Sequence, residues 1–594
     1  MKVINGDPLT FEQKKNHLQI YWYDRILNDQ LESYTDWSEK NEHANASKGW
    51  AEYLEQITDK EQEADLELRW WEYKGKSVRD NLPAPLVICF HEYYNTCWQH
   101  IADAEGLIIV AFEYHRNARP PEGGLGALGY GSREDEIITY NIVINRVIEK
   151  FNIDKQKIYL NGLSYGDGTA LNYIMKYGDS IAAVVLMNGP SSPYNCTRLG
   201  FDKLPNLPSM QLRSEDDLTC DGFPDGMSFD CKGNYEWLRN IRSRSTVYNR
   251  NLWLKANDIK GLPKIYSRGK YVFLIYESEK GDVIYNENAE RCHIPPIDYA
   301  QIMWDMLYSR YKRNDNGEIE LIGEKLPADK DAVAMVVGSK NIYTDNMLVS
   351  LDAPLYKVDP IPDLLRDHRV YAKTEVSYSS IYAPLDVLSK AFGIEYKMNE
   401  VYNYSDWSEE NPPEDFPVLD DSIIEFRYRE DDFKIYTNTN IVKKNNKILD
   451  LERPPLVIKG GMMIPVKEVA ELLGFNVSER NDSLYITKHK VQIGYSFSRI
   501  LREEILAETK PELKYLVSVI CPRNGEISVS KEVVDEGETI ELRAVPDDGF
   551  VTDEAVAYMN GLEVPVNRIT DDLYYVCNAL SDVVIEVKFI EAGG

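Results

Sequence analysis

Positive charge is what this sequence has least of relative to its opposite. Lys plus Arg number 67 against 97 Asp plus Glu in 594 residues, a formal charge of −30, and such a balance repels phosphate backbones and anionic lipid heads. Nucleic acid and membrane surfaces are therefore excluded as general partners. No window approaches the roughly 18 uninterrupted apolar residues that a membrane span needs, so no span is expected. The opening MKVINGDPLTFEQKKNHLQI has no apolar run after its leading charge, so no secretory signal is readable and a cytoplasmic location is one expectation. Histidines number eight, and no Cys lies between residues 293 and 520. Without a dense N/S ligand cluster, neither a metal nor an organic cofactor is expected.

What is present is enough apolar residue, 43%, to bury sizeable cores. At roughly 150 residues per domain the length predicts about four units. Tryptophan and histidine concentrate toward the N-terminal half: nine of ten Trp lie at or before Trp304. Residues 1–65 are polar and helix-permissive and read as an extension or lid. From Leu66 short apolar runs alternate with amphipathic segments. PLVICF (85–90) and LIIVAFEY (107–114) are too continuously apolar for a half-exposed sheet. Ile137, Ile138, Ile142, Val143, Val147 and Ile148 recur at helical spacing and predict a helix over 134–150. KIYLNG, AAVVLMNG (182–189), SMQLRS (209–214) and YVFLIYES (271–278) continue the alternation, and a helix over 297–313 closes it. Such alternation predicts an α/β fold, a doubly wound, mostly parallel sheet over 66–315.

Beyond the turn-rich Asn314–Gly317 the text changes. LDAPLY followed by YAPLDVLSKAFGIEYKMN is echoed by LERPPLV followed by MIPVKEVAELLGFNVSERN. Each copy has a Pro-led turn, a short helix stopped at Gly393 or Gly474, and a strand. These predict an α+β repeat unit over 329–495. From about Val517 the pattern is all strand, with DEG, PDDG and MNG turns, and predicts a small β-sandwich over 515–594.

The chemistry concentrates in Gly162-Leu163-Ser164-Tyr165-Gly166, a G-x-S-x-G between a predicted strand and a predicted helix. In that setting the glycines permit a tight turn that lifts the serine hydroxyl off the sheet edge. A serine hydroxyl is a weak nucleophile at neutral pH and needs a base within hydrogen-bond reach and a carboxylate to orient the base. In such folds acid and then histidine follow the serine in chain order. Between Ser164 and residue 315 the one histidine is His293. For the acid, Asp217 and then Asp216 follow the strand SMQLRS, with Glu277, Glu279 and Asp282 as alternatives. The oxyanion requires two backbone donors. One is expected from Tyr165 and the other from the loop after PLVICF, at His91, Glu92 or Tyr93.

At these residues the sequence resembles the polyhydroxybutyrate-depolymerase-like esterases, a group that includes feruloyl and acetyl-xylan esterases. The resemblance runs through PLVICFHEYYN, HIADAEGLIIVAFEY, FNIDKQKIYLNGLSYGDGTALNYIMKYGDSIAAVVLMNGP, SMQLRSEDD and CHIPPIDYAQIMWDMLYSRYKR. It implies an α/β-hydrolase with Ser164, Asp217 and His293 as a triad acting on an ester substrate, such as acetylated or feruloylated plant polysaccharide or a polyester. The chain departs from that family at Glu92 and Asp167, each in place of a glycine, and at Arg213-Ser214 in place of a His-Gly pair. Those departures define the alternative, a hydrolase fold that binds a wall or glycan without cleaving it.

VAMVVGSKNIYTDNMLVSLDAPLY and IKGGMMIPVKEVAELLGFNV resemble the copper amine oxidase N-terminal-like stalk domain of bacterial surface proteins, and ISVS…DEGETIELRAVPDDGF…DVVIEVKF resembles bacterial Ig-like repeats. The two resemblances imply spacer or attachment modules, cell-wall or glycan attachment, and an extracellular or cell-surface setting. Six Cys in the hydrolase region and two in the tail permit disulfides without specifying pairs.

Overall fold

The computed structural model describes residues 50–62, 64–90, 95–112, 134–188, 204–215, 235–289, 299–358, 380–400, 422–437, 440–507, 514–520, 524–535, 538–559, 562–564, 566–576, 579 and 582–592. Outside these lie residues 1–49 and the predicted site residues His91, Glu92, Tyr93, Asp216, Asp217 and His293.

The first unit is built from β1 (Trp50–Asp59), β2 (Ala64–Lys74), β3 (Ala84–Phe90), α1 (Asn95–Glu105), β4 (Ile108–Phe112), α2 (Glu134–Lys150), β5 (Ile153–Leu163), α3 (Tyr165–Tyr177), β6 (Ala183–Met187) and β7 (Ser209–Ser214). It continues with α4 (Tyr235–Ala256), β8 (Lys264–Arg268), β9 (Tyr271–Tyr276), β10 (Val283–Asn288) and α5 (Tyr299–Met306). The ten strands form one sheet in the order β1-β2-β4-β3-β5-β6-β7-β10-β9-β8. The six strands from β4 to β10 in that order run parallel, with antiparallel β1–β2 on one side and β9–β8 on the other.

Side chains alternate across a strand, so each central strand feeds two cores. Leu86, Ile88 and Phe90 of β3 enter one core with α2 and α3, whereas Val87 and Cys89 enter the other with α1 and α5. Both faces being covered explains why these strands read as unbroken apolar runs. The predicted helix over 134–150 is α2, and its Ile137, Tyr140, Val143, Ile144 and Val147 form the buried stripe.

Three expectations change. The β1–β2 hairpin crosses the 65/66 boundary, so residues 50–65 are sheet edge and not lid. The closing helix stops at Met306; Tyr308–Arg310 is a 3₁₀ turn, and Tyr311–Arg313 is a strand paired with Ile319–Leu321 around Gly317. The polar break at 314–317 is thus a hairpin tip of the first unit, tied back by the Arg313 guanidinium to the carbonyls of Ile181 and Gly178. Finally, YVFLIY runs antiparallel as β9, and the strand that follows β7 in the parallel array is VIYNEN, β10.

The middle unit contains two similar strand–helix segments. Ser380–Pro384 of one copy pairs antiparallel with Gly461–Pro465 of the other, and each leads into a short helix, α6 (Val387–Phe392) or α7 (Val466–Leu472). Gly393 and Gly474 lie in the left-handed region at φ 65° and 84° just past those helices, where a side chain would be strained. The copies exchange strands. Val333–Val336, Asn341–Thr344 and Met347–Ser350 form a sheet with Asn476–Arg480 and Ser483–Thr487 of the other copy. A final helix, α8 (Tyr495–Ile500), continues as a π-helical turn over Leu501–Ile505. The C-terminal unit has a five-stranded and a four-stranded sheet around one core; Val583, Ile585, Val587 and Phe589 face inward and alternate with half-buried or exposed neighbours.

Candidate active site

β5 ends at Leu163 and α3 begins at Tyr165, leaving Ser164 alone on the turn. Ser164 has φ 56° and ψ −123°, a backbone region costing a non-glycine residue on the order of 1–3 kcal/mol and typical of functional turns. The turn is held by the Ser164 N–H donating to Met187 O at 2.9 Å and the Asp167 N–H donating to Ser164 O at 3.0 Å. A methyl group on Gly162 would fall on the carbonyl of Gly166, so the first glycine of the motif is sterically required. This is a strand–serine–helix elbow, the geometry that exposes a serine hydroxyl at a sheet edge. Tyr165 opens α3, and its N–H belongs to the first turn, whose donors lack helical partners and whose dipole favours negative charge.

Strand register fixes what else reaches this edge. Leu163 pairs with Met187, Met187 with Leu212, and Arg213 with Glu287, so Ser164, Asn188, Arg213 and Glu287 lie along one row at the C-terminal edge of the sheet. On the other side Phe90 pairs with Gly162, so the chain enters residues 91–94 from that same edge. The segments carrying His91–Tyr93, Asp216–Asp217 and His293 therefore all leave strands that end beside Ser164, where ligands of open α/β sheets bind. Those site residues themselves lie outside the described residues.

The alternative acids are at the wrong edge. Glu277 and Glu279 follow β9, which runs opposite to β10, and Asp282 precedes β10. The five steps of β10 separate Asp282 from the Ser164 row by about 16 Å. Asp282 is instead buried against Arg310, 3.3 Å away, and Glu277 pairs with Lys264 at 2.6 Å.

Two of the departures from the esterase pattern turn out to be one interaction. Asp167, in the first turn of α3, is fully buried and lies 3.1 Å from the Arg213 guanidinium of β7. The pair ties the serine-bearing helix to the strand that leads toward Asp217. Removing one member of a buried pair typically costs 3–5 kcal/mol because the other charge is stranded. Next to it, Asn188 at φ 44° donates from Nδ2 to Ser214 Oγ at 2.9 Å.

Two further carboxylates sit at this edge, and sequence reading gave neither a role. Glu215 is buried and accepts from Arg480 Nε at 2.8 Å and also from Arg480 Nη2. Glu287 accepts from Ser496 Oγ at 2.6 Å and from the Phe497 N–H at 3.0 Å. Burial, with the Glu215 charge nearby, pushes the Glu287 carboxyl up to about 7. Arg480, Ser496 and Phe497 belong to the middle unit, and no local pattern announces such partners. Cys89 is buried, with Asn161 Nδ2 donating to its Sγ at 3.3 Å. No group of three or more potential metal ligands occurs among the described residues.

No protein-family model matches the chain. A 119-residue segment is 25% identical to the bifunctional acetylxylan esterase/xylanase XynS20E of Neocallimastix patriciarum. The match covers 18% of this chain and 16% of that protein's length. Among solved structures, an acetyl xylan esterase from Aspergillus awamori aligns at 12% identity and TM-score 0.30, over 43% of this chain and 97% of that one. LpqC, a poly(3-hydroxybutyrate) depolymerase from Bordetella parapertussis, aligns at 12% identity and TM-score 0.29, over 45% and 92%. A thermostable esterase, 59% of whose length is covered, gives 14% and 0.28. Likeness at these scores carries no argument, and the fold stands on its own strand order and elbow.

Proposed function

We propose that the first unit is a serine-dependent carboxylic ester hydrolase. The observation that carries this reading is Ser164 at φ 56° on a strand-to-helix turn that only glycine at position 162 permits. In this reading His293 takes the Ser164 proton as Oγ attacks the ester carbonyl, and Asp217 orients the imidazole. The Tyr165 N–H and one donor from His91–Tyr93 hold the oxyanion. Collapse of the tetrahedral intermediate releases the alcohol with the proton returned by His293, and water then frees the acid from the acyl-serine. The register supports the assignment, because each of these segments leaves a strand ending on the Ser164 row. The Asp167–Arg213 pair makes two of the departures one buried contact, which favours structural compensation over loss of the site.

For substrate, the acetylxylan-directed relative and the esterase-like motifs of the sequence favour acetylated or feruloylated polysaccharide, with a polyester as the neighbouring chemistry. We place the protein at the cell surface or outside the cell, with the C-terminal unit as the attachment module. Turnover of p-nitrophenyl acetate by the full chain, compared with Ser164→Ala and His293→Ala, tests the reading. Hydrolysis lost in both variants is expected. Equal hydrolysis by Ser164→Ala and the parent would overturn it, and no hydrolysis by a folded parent would favour a noncatalytic glycan-binding role.

A further inference from the structure

The middle unit was expected to be a spacer, yet it is sealed into the hydrolase. Ala334, Val336, Tyr485, Phe497, Ile500 and Leu501 share one buried apolar cluster with Val247, Trp253, Ile265, Val283 and Tyr285 of the first unit. Polar ties run along the same seam. Arg250, fully buried on α4, pairs with Glu504 and donates to Tyr276 Oη at 2.8 Å. Arg499 Nε donates to Ser243 Oγ at 2.6 Å, and the Asp329 N–H donates to Ile265 O at 2.9 Å.

Two of these ties end at the catalytic edge. Arg480, closing the strand Asn476–Arg480, reaches Glu215, the residue immediately after β7 and two before Asp217. Ser496 and Phe497 hold Glu287, which lies in the Ser164 row on β10, six residues before His293. The approach is built closely: a methyl group on Gly494 would fall on the Glu287 carboxylate. Solvent is excluded from both carboxylates, so these hydrogen bonds act in a low dielectric, where an unmade partner is costly.

We propose that Arg480 and Ser496 are positioning residues of the hydrolase: by fixing Glu215 and Glu287 they set the ends of β7 and β10, from which the chain continues to the acid and the histidine. The middle unit is then an obligatory part of the catalytic machinery. This rests on the Ser164–Asp217–His293 reading. Arg480 supplies a planar two-donor fork to one carboxylate, a geometry that lysine reproduces only as a point charge. Ser496 supplies one hydroxyl, so its loss moves β10 less than the loss of Arg480 moves β7.

The test uses the full chain and p-nitrophenyl acetate, with a fluorophosphonate probe reporting Ser164 directly and near-ultraviolet circular dichroism reporting the fold. Arg480→Ala is expected to lower kcat by roughly 10- to 100-fold. KM should stay within about twofold, and probe labelling of Ser164 should slow in parallel. Arg480→Lys should regain part of kcat, and Ser496→Ala should show the same kcat-against-KM split at smaller size. An active parent whose folded Arg480→Ala and Ser496→Ala variants keep kcat within about twofold would overturn the proposal and leave the esterase reading standing. If Arg480→Ala does not fold, Ser496→Ala decides alone on the same criteria. A folded parent that neither hydrolyses nor labels sinks the esterase reading instead, and the positioning role with it.

Discussion

The middle and C-terminal units read alike in sequence, as modules appended to an enzyme, but they are joined to it in opposite ways. Among the described residues the C-terminal unit draws its core from residues 515–589, with Ile540, Leu542, Ala557, Val576 and Ile585 at its centre. The middle unit has a main core of its own, around Ile342, Ile381, Ile424 and Val469, with a smaller cluster around Tyr382 and Leu456, and contributes a further set of residues to the core of the first unit. Possessing a recognisable repeat therefore does not make a segment separable. What decides is whether its apolar faces are exhausted internally, and the outward face of α8 and of the strand Val333–Val336 is not.

Truncation breaks the comparison most sharply. Ending the chain at residue 325 strips α4, β8 and β10 of their cover, and the remaining fragment is expected to lose cooperative unfolding and to expose an aggregating apolar face. Ending it at residue 507 should shift the melting temperature of the rest by no more than about 2 °C. Differential scanning calorimetry with light scattering distinguishes the two. Single core deletions come next. Ile500→Ala should cost roughly 2–5 kcal/mol and lower the transition in which the first and middle units unfold together. Ile585→Ala, of similar intrinsic cost, should move only a separate transition belonging to the C-terminal unit. A shared shift in both variants would mean that the two appended units are alike after all.

Protonation sharpens the same seam. Glu287 ordinarily titrates near 4.5 and is raised to about 7 in the folded state by burial and by the Glu215 charge, against the lowering hydrogen bonds from Ser496 and Phe497. A raised carboxyl stabilises the folded state fully below its unfolded value, and that contribution is lost as pH rises toward the folded one. The full chain should therefore lose stability between about pH 4.5 and 7 on account of this group. Glu287→Gln should show a shallower slope over that window in urea titrations. The smallest effect belongs to exposed pairs of the C-terminal unit. Lys588→Ala removes an ion pair to Asp553 at 3.1 Å and should change stability by less than about 1 kcal/mol.

Strands such as β3 and β4 were legible because both faces are covered and the residues are uniformly apolar. Likewise α2 showed itself by its stripe, and Ser164 by two glycines at the spacing that an elbow demands. By contrast β10 was illegible because half of VIYNEN is polar. Asn286 is buried with its Nδ2 donating to Val272 O at 2.8 Å and its Oδ1 accepting from Tyr299 Oη at 2.8 Å, and Glu287 is satisfied from the middle unit. Local pattern assigns such residues to solvent. Likewise the Asp167–Arg213 pair looked like two unrelated defects in a motif, because a compensating contact between distant positions leaves no local trace. The Arg480–Glu215 tie, 265 residues apart in the chain, was invisible for the same reason. The serine elbow could be read from its own motif, but the contacts that hold the neighbouring strands in place could not.

The central claim, that Ser164 is the nucleophile of a working ester hydrolase, is tested most directly by intact-mass spectrometry of the full chain after incubation with a fluorophosphonate. The account predicts one adduct per chain, mapped by peptide analysis to Ser164, abolished by Ser164→Ala and by prior heat denaturation. A folded, unlabelled chain, or an adduct that survives Ser164→Ala, would contradict it.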